Sequence, residues 1–247
     1  MRRYPSPYAP SFSFGPGPIS TALKAIIAAN VAVFFAQLFV SGITPLLGLR
    51  PASVFGTLWL WQPATYMFLH SGLFHILFNM LALWMFGTEL ERMWGTRYFL
   101  RFYFITGVGA GLLTTIFALL PFSVSQQVYY SVTIGASGAV YGLLLAYAMY
   151  FPERQIYMYL VFPIPAKIFV AIMGAIAFYA SLSGSGGVAN ATHLGGLLIA
   201  YVLLKTSRVD PLAELKYRYL KWKINRVRKK FDVYSGGRAD DWNRRVH

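Results

Sequence analysis

Long apolar runs separated by short polar segments dominate the pattern of this chain. A bilayer core about 30 Å thick needs about 20 apolar residues in a helix, and the runs approach or exceed that length. The pattern therefore predicts an all-α polytopic membrane protein with a bundle of six transmembrane helices. The six predicted spans are residues 19–40, 66–88, 98–120, 137–151, 167–182 and 190–204.

Basic residues lie almost entirely on one side of the predicted bundle. Of the 22 lysines and arginines, only Arg50 falls in a connection on the opposite side. Because cytoplasmic segments of membrane proteins are enriched in Lys and Arg, both termini are predicted to be cytoplasmic. The net charge of +14 mostly reflects this asymmetry. The predicted location is a cell membrane, of the bacterial plasma-membrane kind, in a multi-pass arrangement.

Composition divides the chain into three regions. Residues 1–18 are rich in Pro, Ser, Tyr and Gly and are predicted to be a flexible lead. Residues 19–205 form the membrane domain, and residues 206–247 form a basic cytoplasmic tail that is partly an amphipathic helix. Anionic lipid of the inner leaflet is the predicted partner of the tail. Nucleic-acid binding is the alternative for the tail and is not expected.

The fourth predicted span is too short to cross the hydrocarbon core. Its 15 residues from Ser137 onward cover about 22 Å of a core about 30 Å thick. The helix must therefore begin several ångströms below the outer surface. Because non-helical backbone is tolerated at that depth only inside protein or beside a water-filled cavity, we expect Ser137 to lie in a wet cavity open to the outside.

Polar side chains occur at a similar depth, in the outer half, on three of the predicted spans. They are His70, His75 and Asn79 on the second span, Ser137 on the fourth and His193 on the sixth. Since unpaired polar groups are costly in hydrocarbon, their common depth indicates one shared site.

Small residues on two spans favour close packing beside this site. These residues are Gly138 and Gly142 on the fourth span and Gly196 and Ala200 on the sixth. Close approach of the two spans would bring Ser137 within reach of His193.

No acidic residue is predicted to lie near Ser137. The eight carboxylates all fall on the cytoplasmic side or in the tail: Glu89, Glu91, Glu153, Asp210, Glu214, Asp232, Asp240 and Asp241. This topology excludes a Ser-His-Asp triad and a two-aspartate protease. A zinc peptidase is disfavoured because the chain has no H-E-x-x-H motif. With no cysteine present, thiol chemistry is excluded, and no cofactor or metal is predicted.

The remaining option is a serine-histidine dyad in which His193 takes the proton of Ser137. Main-chain N–H groups at the start of the fourth helix would form an oxyanion hole, where the helix dipole is positive. His75 and Asn79, four residues apart and therefore on one face, would donate further hydrogen bonds.

Three motifs, in this order, resemble those of the rhomboid intramembrane serine proteases with a six-helix core. The motifs are His75-x-x-x-Asn79, Gly135-x-Ser137-Gly138 and His193-Leu-Gly195-Gly196, within about residues 20–205. The resemblance implies Ser137 as nucleophile and His193 as general base, with Tyr141 stacking on the base. It also implies that His75, Asn79 and the Ser137 amide stabilise the oxyanion. The implied substrates are transmembrane segments of other membrane proteins.

One departure from the family's pattern lies in the first loop, and one histidine of the second span is left outside the proposed chemistry. The family's first loop often carries Trp-Arg, whereas Trp61 is followed here by Gln62, so the anchoring of that loop stays open. His70 is assigned a structural role near the first loop.

Two other functions stay open at this point. A catalytically silent relative would bind membrane helices as an adaptor, although such relatives usually lack the serine or the histidine. A small transporter would use the membrane histidines to move protons or ions, without any acid in the predicted spans.

Overall fold

A computed structural model of the chain describes residues 16–158, 162–183 and 189–208. Most of the predicted lead, the greater part of the fifth connection and the predicted amphipathic tail helix lie outside these residues.

The described residues form a mainly helical structure. In chain order its helices are α1 (Thr21–Phe39), α2 (Ile43–Leu47), α3 (Pro51–Gly56), α4 (Gln62–Thr65), a 3₁₀ turn (Tyr66–Phe68), α5 (Leu73–Trp94), α6 (Thr96–Phe117), α7 (Ser123–Tyr130), α8 (Ser137–Tyr150), α9 (Ala166–Ser183) and α10 (Ala189–Arg208). The six predicted spans overlap α1, α5, α6, α8, α9 and α10, in that order.

A two-stranded antiparallel hairpin interrupts the helices between α8 and α9. It pairs β1 (Gln155–Met158) with β2 (Phe162–Pro165). The all-α prediction is wrong to this small extent, because a four-residue strand containing two prolines gives no clear alternating pattern.

Three of the described helices are long and apolar enough to cross a membrane, namely α1, α5 and α6. Two shorter apolar helices are α8 and α9. The 14 residues of α8 span about 21 Å, so α8 has the short length that the sequence predicts.

The second predicted span is wrong at its start. Its helix begins at Leu73 and not near Tyr66, because the backbone turns extended at Leu69 (ψ 146°). His70 therefore lies before α5 and not on it. The helix also continues to Trp94, where Gly95 ends it with a φ of +78° that favours glycine.

Gln62 holds the first connection together from a fully buried position. Its Oε1 accepts the main-chain N–H of Arg50 (3.0 Å). Its Nε2 donates to the carbonyl oxygens of Pro45 (3.2 Å) and Leu46 (3.4 Å). The neighbouring Trp61 also donates from Nε1 to Leu46 (2.9 Å). The neutral amide of Gln62 therefore anchors this loop, at the position where the family often has an arginine.

Helix α8 lies at the centre of the packed helices. It contacts α5, α6 and α9, and ten of its fourteen residues are buried. A helix that is apolar all round is expected in such a position. Its first residue, Ser137, is thereby held by packing along most of the helix that follows it.

Candidate active site

Ser137 and His193 are brought together from positions 56 residues apart in the chain. Ser137 is the first residue of α8, and His193 lies in the second turn of α10. His193 Nε2 is 2.8 Å from Ser137 Oγ, which is the distance of a good hydrogen bond. The imidazole is therefore placed to accept the serine proton.

Glycines allow α8 and α10 to approach closely enough for this contact. A Cβ at Gly196 would lie 2.0 Å from the carbonyl oxygen of Gly138, and one at Gly142 would lie 3.3 Å from Cβ of Ala200. Only a residue without a side chain fits the first of these positions. The predicted contact between the small-residue faces of the two helices is confirmed.

Tyr141 stacks on the imidazole of His193. The ring centroids are 4.2 Å apart and the planes differ by 4°. Tyr141 follows Ser137 by four residues, so the two side chains share one face of α8. Nδ1 of His193 is buried and has no hydrogen-bond partner among the described residues. Stacking on Tyr141 and the contact with Ser137 therefore both restrain the orientation of this ring.

His75 approaches the same place from the first turn of α5. A Cβ at Gly135 would lie 2.8 Å from both Cε1 and Nε2 of His75, and 3.6 Å from Ser137 Oγ. Gly135 has a φ of +125° and donates its N–H to the carbonyl oxygen of Tyr66 (2.9 Å). Because Gly135 has no side chain, the His75 imidazole and the Ser137 hydroxyl can both lie close to its backbone.

Asn79 lies one turn after His75 on the same face of α5. Its side chain is almost fully buried, and Nδ2 donates to the carbonyl oxygen of His75 (2.8 Å). A carboxamide nitrogen carries two hydrogens, so this bond leaves a second hydrogen for another acceptor.

His70 and Ser71 surround the far side of the His75 ring. The rings of His70 and His75 meet edge to face, with centroids 5.0 Å apart, and His70 donates its main-chain N–H to Gln37 Oε1 (3.0 Å). The Ser71 Oγ is 3.0 Å from His75 Nδ1. Sequence reasoning missed Ser71, because a serine just before a helix is ordinarily a capping residue. Its spacing of four residues from His75 was the available signal.

The described carboxylates lie at the opposite end of α5 from His75. Glu91 follows His75 by 16 residues, or about 24 Å along a helix. It accepts hydrogen bonds from Ser20 Oγ (2.5 Å) and Thr96 Oγ (2.7 Å). Glu89 pairs with Arg154 and Glu153 pairs with Lys167. Within the described part of the chain, no group of three or more His, Cys, Asp or Glu residues could hold a metal ion.

Comparison with known proteins finds a consistent set of relatives. Rhomboid protein 1, mitochondrial, of Saccharomyces cerevisiae is 33% identical over 134 residues, covering 53% of this chain and 37% of the yeast protein. Rhomboid protease GluP of Bacillus subtilis is 33% identical over 138 residues, covering 56% and 24%. Rhomboid protease AarA of Providencia stuartii is 32% identical over 163 residues, covering 58% and 57%. The chain thus spans less than two thirds of the length of each of these relatives.

A family model that describes the rhomboid domain matches residues 57–208. The match takes in Ser137, His193, His75, Asn79 and Tyr141, and it covers more than half of the chain. The protein belongs to the rhomboid family.

Proposed function

We propose that this protein is a rhomboid-type intramembrane serine endopeptidase that hydrolyses peptide bonds in or near transmembrane segments of membrane proteins. The observation that carries the proposal is the 2.8 Å contact between Ser137 Oγ and His193 Nε2, beneath the stacked ring of Tyr141. The relatives in Bacillus subtilis and Providencia stuartii that are named rhomboid proteases support it.

The first half of the reaction forms an acyl-enzyme. Ser137 Oγ attacks the carbonyl carbon of the scissile bond while His193 Nε2 accepts the serine proton. The tetrahedral intermediate then collapses, the carbon–nitrogen bond breaks, and His193 gives the proton to the leaving nitrogen. The carbonyl carbon of the substrate remains bonded to Ser137 Oγ as an ester.

The second half releases the other product and restores the dyad. A water molecule attacks the ester carbon and gives a proton to His193 Nε2. The bond to Ser137 Oγ then breaks, and His193 returns the proton to that oxygen. The new carboxyl terminus leaves, so each cycle consumes one peptide bond and one water.

Negative charge develops on the carbonyl oxygen in both halves, and we propose three donors for it. The main-chain N–H of Ser137 is among the first of α8, and such groups have no partner within their helix. His75 Nε2 and Ser137 Oγ both lie close to Gly135. Asn79 has a second amide hydrogen besides the one that it donates to the carbonyl oxygen of His75. Preorganised donors of this kind supply a large part of the rate enhancement in acyl transfer.

Labelling with a fluorophosphonate tests the proposed nucleophile. We expect the folded protein to react, with Ser137 Oγ displacing fluoride from phosphorus, and we expect Ser137→Ala to show no adduct by intact-mass spectrometry. Ser131→Ala is the matched control, because Ser131 lies before α8 and donates only to the carbonyl oxygen of Gln127. An adduct on Ser137→Ala would contradict the proposal, and an unreactive folded wild type would favour the silent helix-binding relative.

We propose that six helices cross the membrane, with α8, α9 and α10 completing the set that α1, α5 and α6 begin. Both termini would be cytoplasmic, and the active site would open to the outer side of a cell membrane. The distribution of Lys and Arg supports this orientation. Residues 19–205 would be the protease domain, between the flexible lead 1–18 and the basic tail 206–247, whose partner would be anionic lipid and not nucleic acid.

Single cysteines test the orientation, because the chain has none of its own. Gln126 in α7 and Gln155 in β1 are both exposed and lie in the third and fourth connections. A membrane-impermeant maleimide added to intact cells should label Gln126→Cys, and it should label Gln155→Cys only after permeabilisation. The reverse pattern would overturn the orientation, and the parent chain without cysteine gives the background.

A further inference from the structure

Ser71 offers two hydrogen bonds to one ring nitrogen of His75. Its main-chain N–H lies 3.3 Å from His75 Nδ1, and its Oγ lies 3.0 Å from the same nitrogen. A main-chain N–H can only donate, so Nδ1 must accept. A neutral imidazole whose Nδ1 accepts carries its hydrogen on Nε2. The main-chain N–H and the hydroxyl of Ser71, two residues before α5, thus together favour the tautomer of His75 that carries its hydrogen on Nε2.

The nitrogen that carries the hydrogen lies near Gly135, as does the hydroxyl of the reacting serine. His75 Nε2 and Ser137 Oγ lie 2.8 and 3.6 Å from the point where a Cβ at Gly135 would stand. The opposite tautomer would turn a lone pair toward a developing oxyanion and repel it, because electrostatic stabilisation needs a donor aimed at that oxygen.

His70 supports the same arrangement by packing. His70 is 2% exposed, and its ring meets the ring of His75 edge to face with centroids 5.0 Å apart. A buried ring in that position opposes rotation of the His75 imidazole, which would move Nε2 away from Ser137. The segment from His70 to Ser71 therefore restrains both the orientation and the tautomer of the neighbouring histidine.

We propose that Ser71 is a positioning residue that holds His75 in the Nε2–H tautomer, ready to donate to the oxyanion. The role of this tautomer in stabilising an oxyanion rests on the proposed proteolytic function. The tautomer itself is a property of the resting protein and can be measured without any substrate.

The first test is ¹⁵N NMR of protein labelled at histidine, with the His75 signals assigned by their loss in His75→Gln. We expect a pyridine-type signal for Nδ1 and a pyrrole-type signal for Nε2. Ser71→Ala should shift the population toward a mixture of tautomers, and Ser71→Thr should keep the wild-type pattern. A pyrrole-type Nδ1 in wild type would overturn the proposal even if the protein proves to be a protease.

The second test measures cleavage of a transmembrane substrate. Ser71→Ala should lower kcat about 3- to 10-fold with KM unchanged, since it removes one of the two donors to Nδ1. Ser71→Thr keeps the hydroxyl and should keep the wild-type rate. Ser71→Val has the shape of threonine without the hydroxyl and should behave like Ser71→Ala.

A double-mutant cycle separates this role from a merely structural one. In a His75→Ala background, Ser71→Ala should have no further effect on kcat, because its action passes through the missing ring. An equal loss of kcat in both backgrounds would overturn the proposal.

Discussion

Replacing either Ser137 or His193 with alanine should lower kcat/KM for a transmembrane substrate by at least about 10³-fold. Ser137→Ala removes the atom that attacks the peptide carbonyl. His193→Ala removes the group within 2.8 Å that accepts its proton, and a serine hydroxyl is a weak nucleophile without an adjacent base. The measurement is cleavage of a purified substrate by enzyme reconstituted in lipid vesicles.

Comparison of the single and double variants makes this prediction more specific. If the two side chains act as one unit, the double variant should be no less active than either single variant. Ser131→Ala should match the wild type, and thermal unfolding should verify that every variant is folded. Residual activity that falls much further in the double variant would indicate independent roles, and full activity of His193→Ala would mean that another group is the base.

The residues of the site could be predicted from the sequence because few polar side chains occur in the apolar helices. Ser137 and His193 stand out in apolar helices where every unpaired polar group is costly. The glycines beside them indicated which faces meet, and the closest approach, between Gly138 and Gly196, is now seen directly. In a membrane helix an ionisable side chain is rare enough to be read individually, whereas small residues are common there and are informative only beside such a side chain.

Details that depend on tertiary contacts were not accessible in this way. The break between Tyr66 and Leu73 lies within an apolar run, so hydropathy alone extends the helix through it. Gln62 gives no sign in the sequence that it satisfies main-chain groups 12 to 17 residues earlier in the same connection. The role proposed for Ser71 depends on where one ring nitrogen of His75 points. Spacing alone does not provide that direction.

The close contact of α8 with α10 gives the second large effect. Gly196→Ala would place a Cβ 2.0 Å from the carbonyl oxygen of Gly138 and 2.9 Å from its carbonyl carbon. Both atoms belong to the backbone and cannot rotate aside, so α10 must move away from α8. That movement carries His193 away from Ser137. We expect kcat to fall about 10²-fold, the scale of a 1 Å misplacement in a catalytic site, and the free energy of unfolding to fall by about 1–3 kcal/mol.

A matched control lies in α9, where Gly174 is also a helical glycine. A Cβ there would meet only Leu197 Cδ1 at 3.4 Å, an ordinary contact. Gly174→Ala should therefore keep the cleavage rate and slightly raise the unfolding temperature, because alanine loses less conformational freedom in a helix than glycine. The rate of fluorophosphonate labelling reports the dyad directly in both variants. If Gly196→Ala reacted as fast as Gly174→Ala, contact between these two backbones would not be what aligns the histidine with the serine.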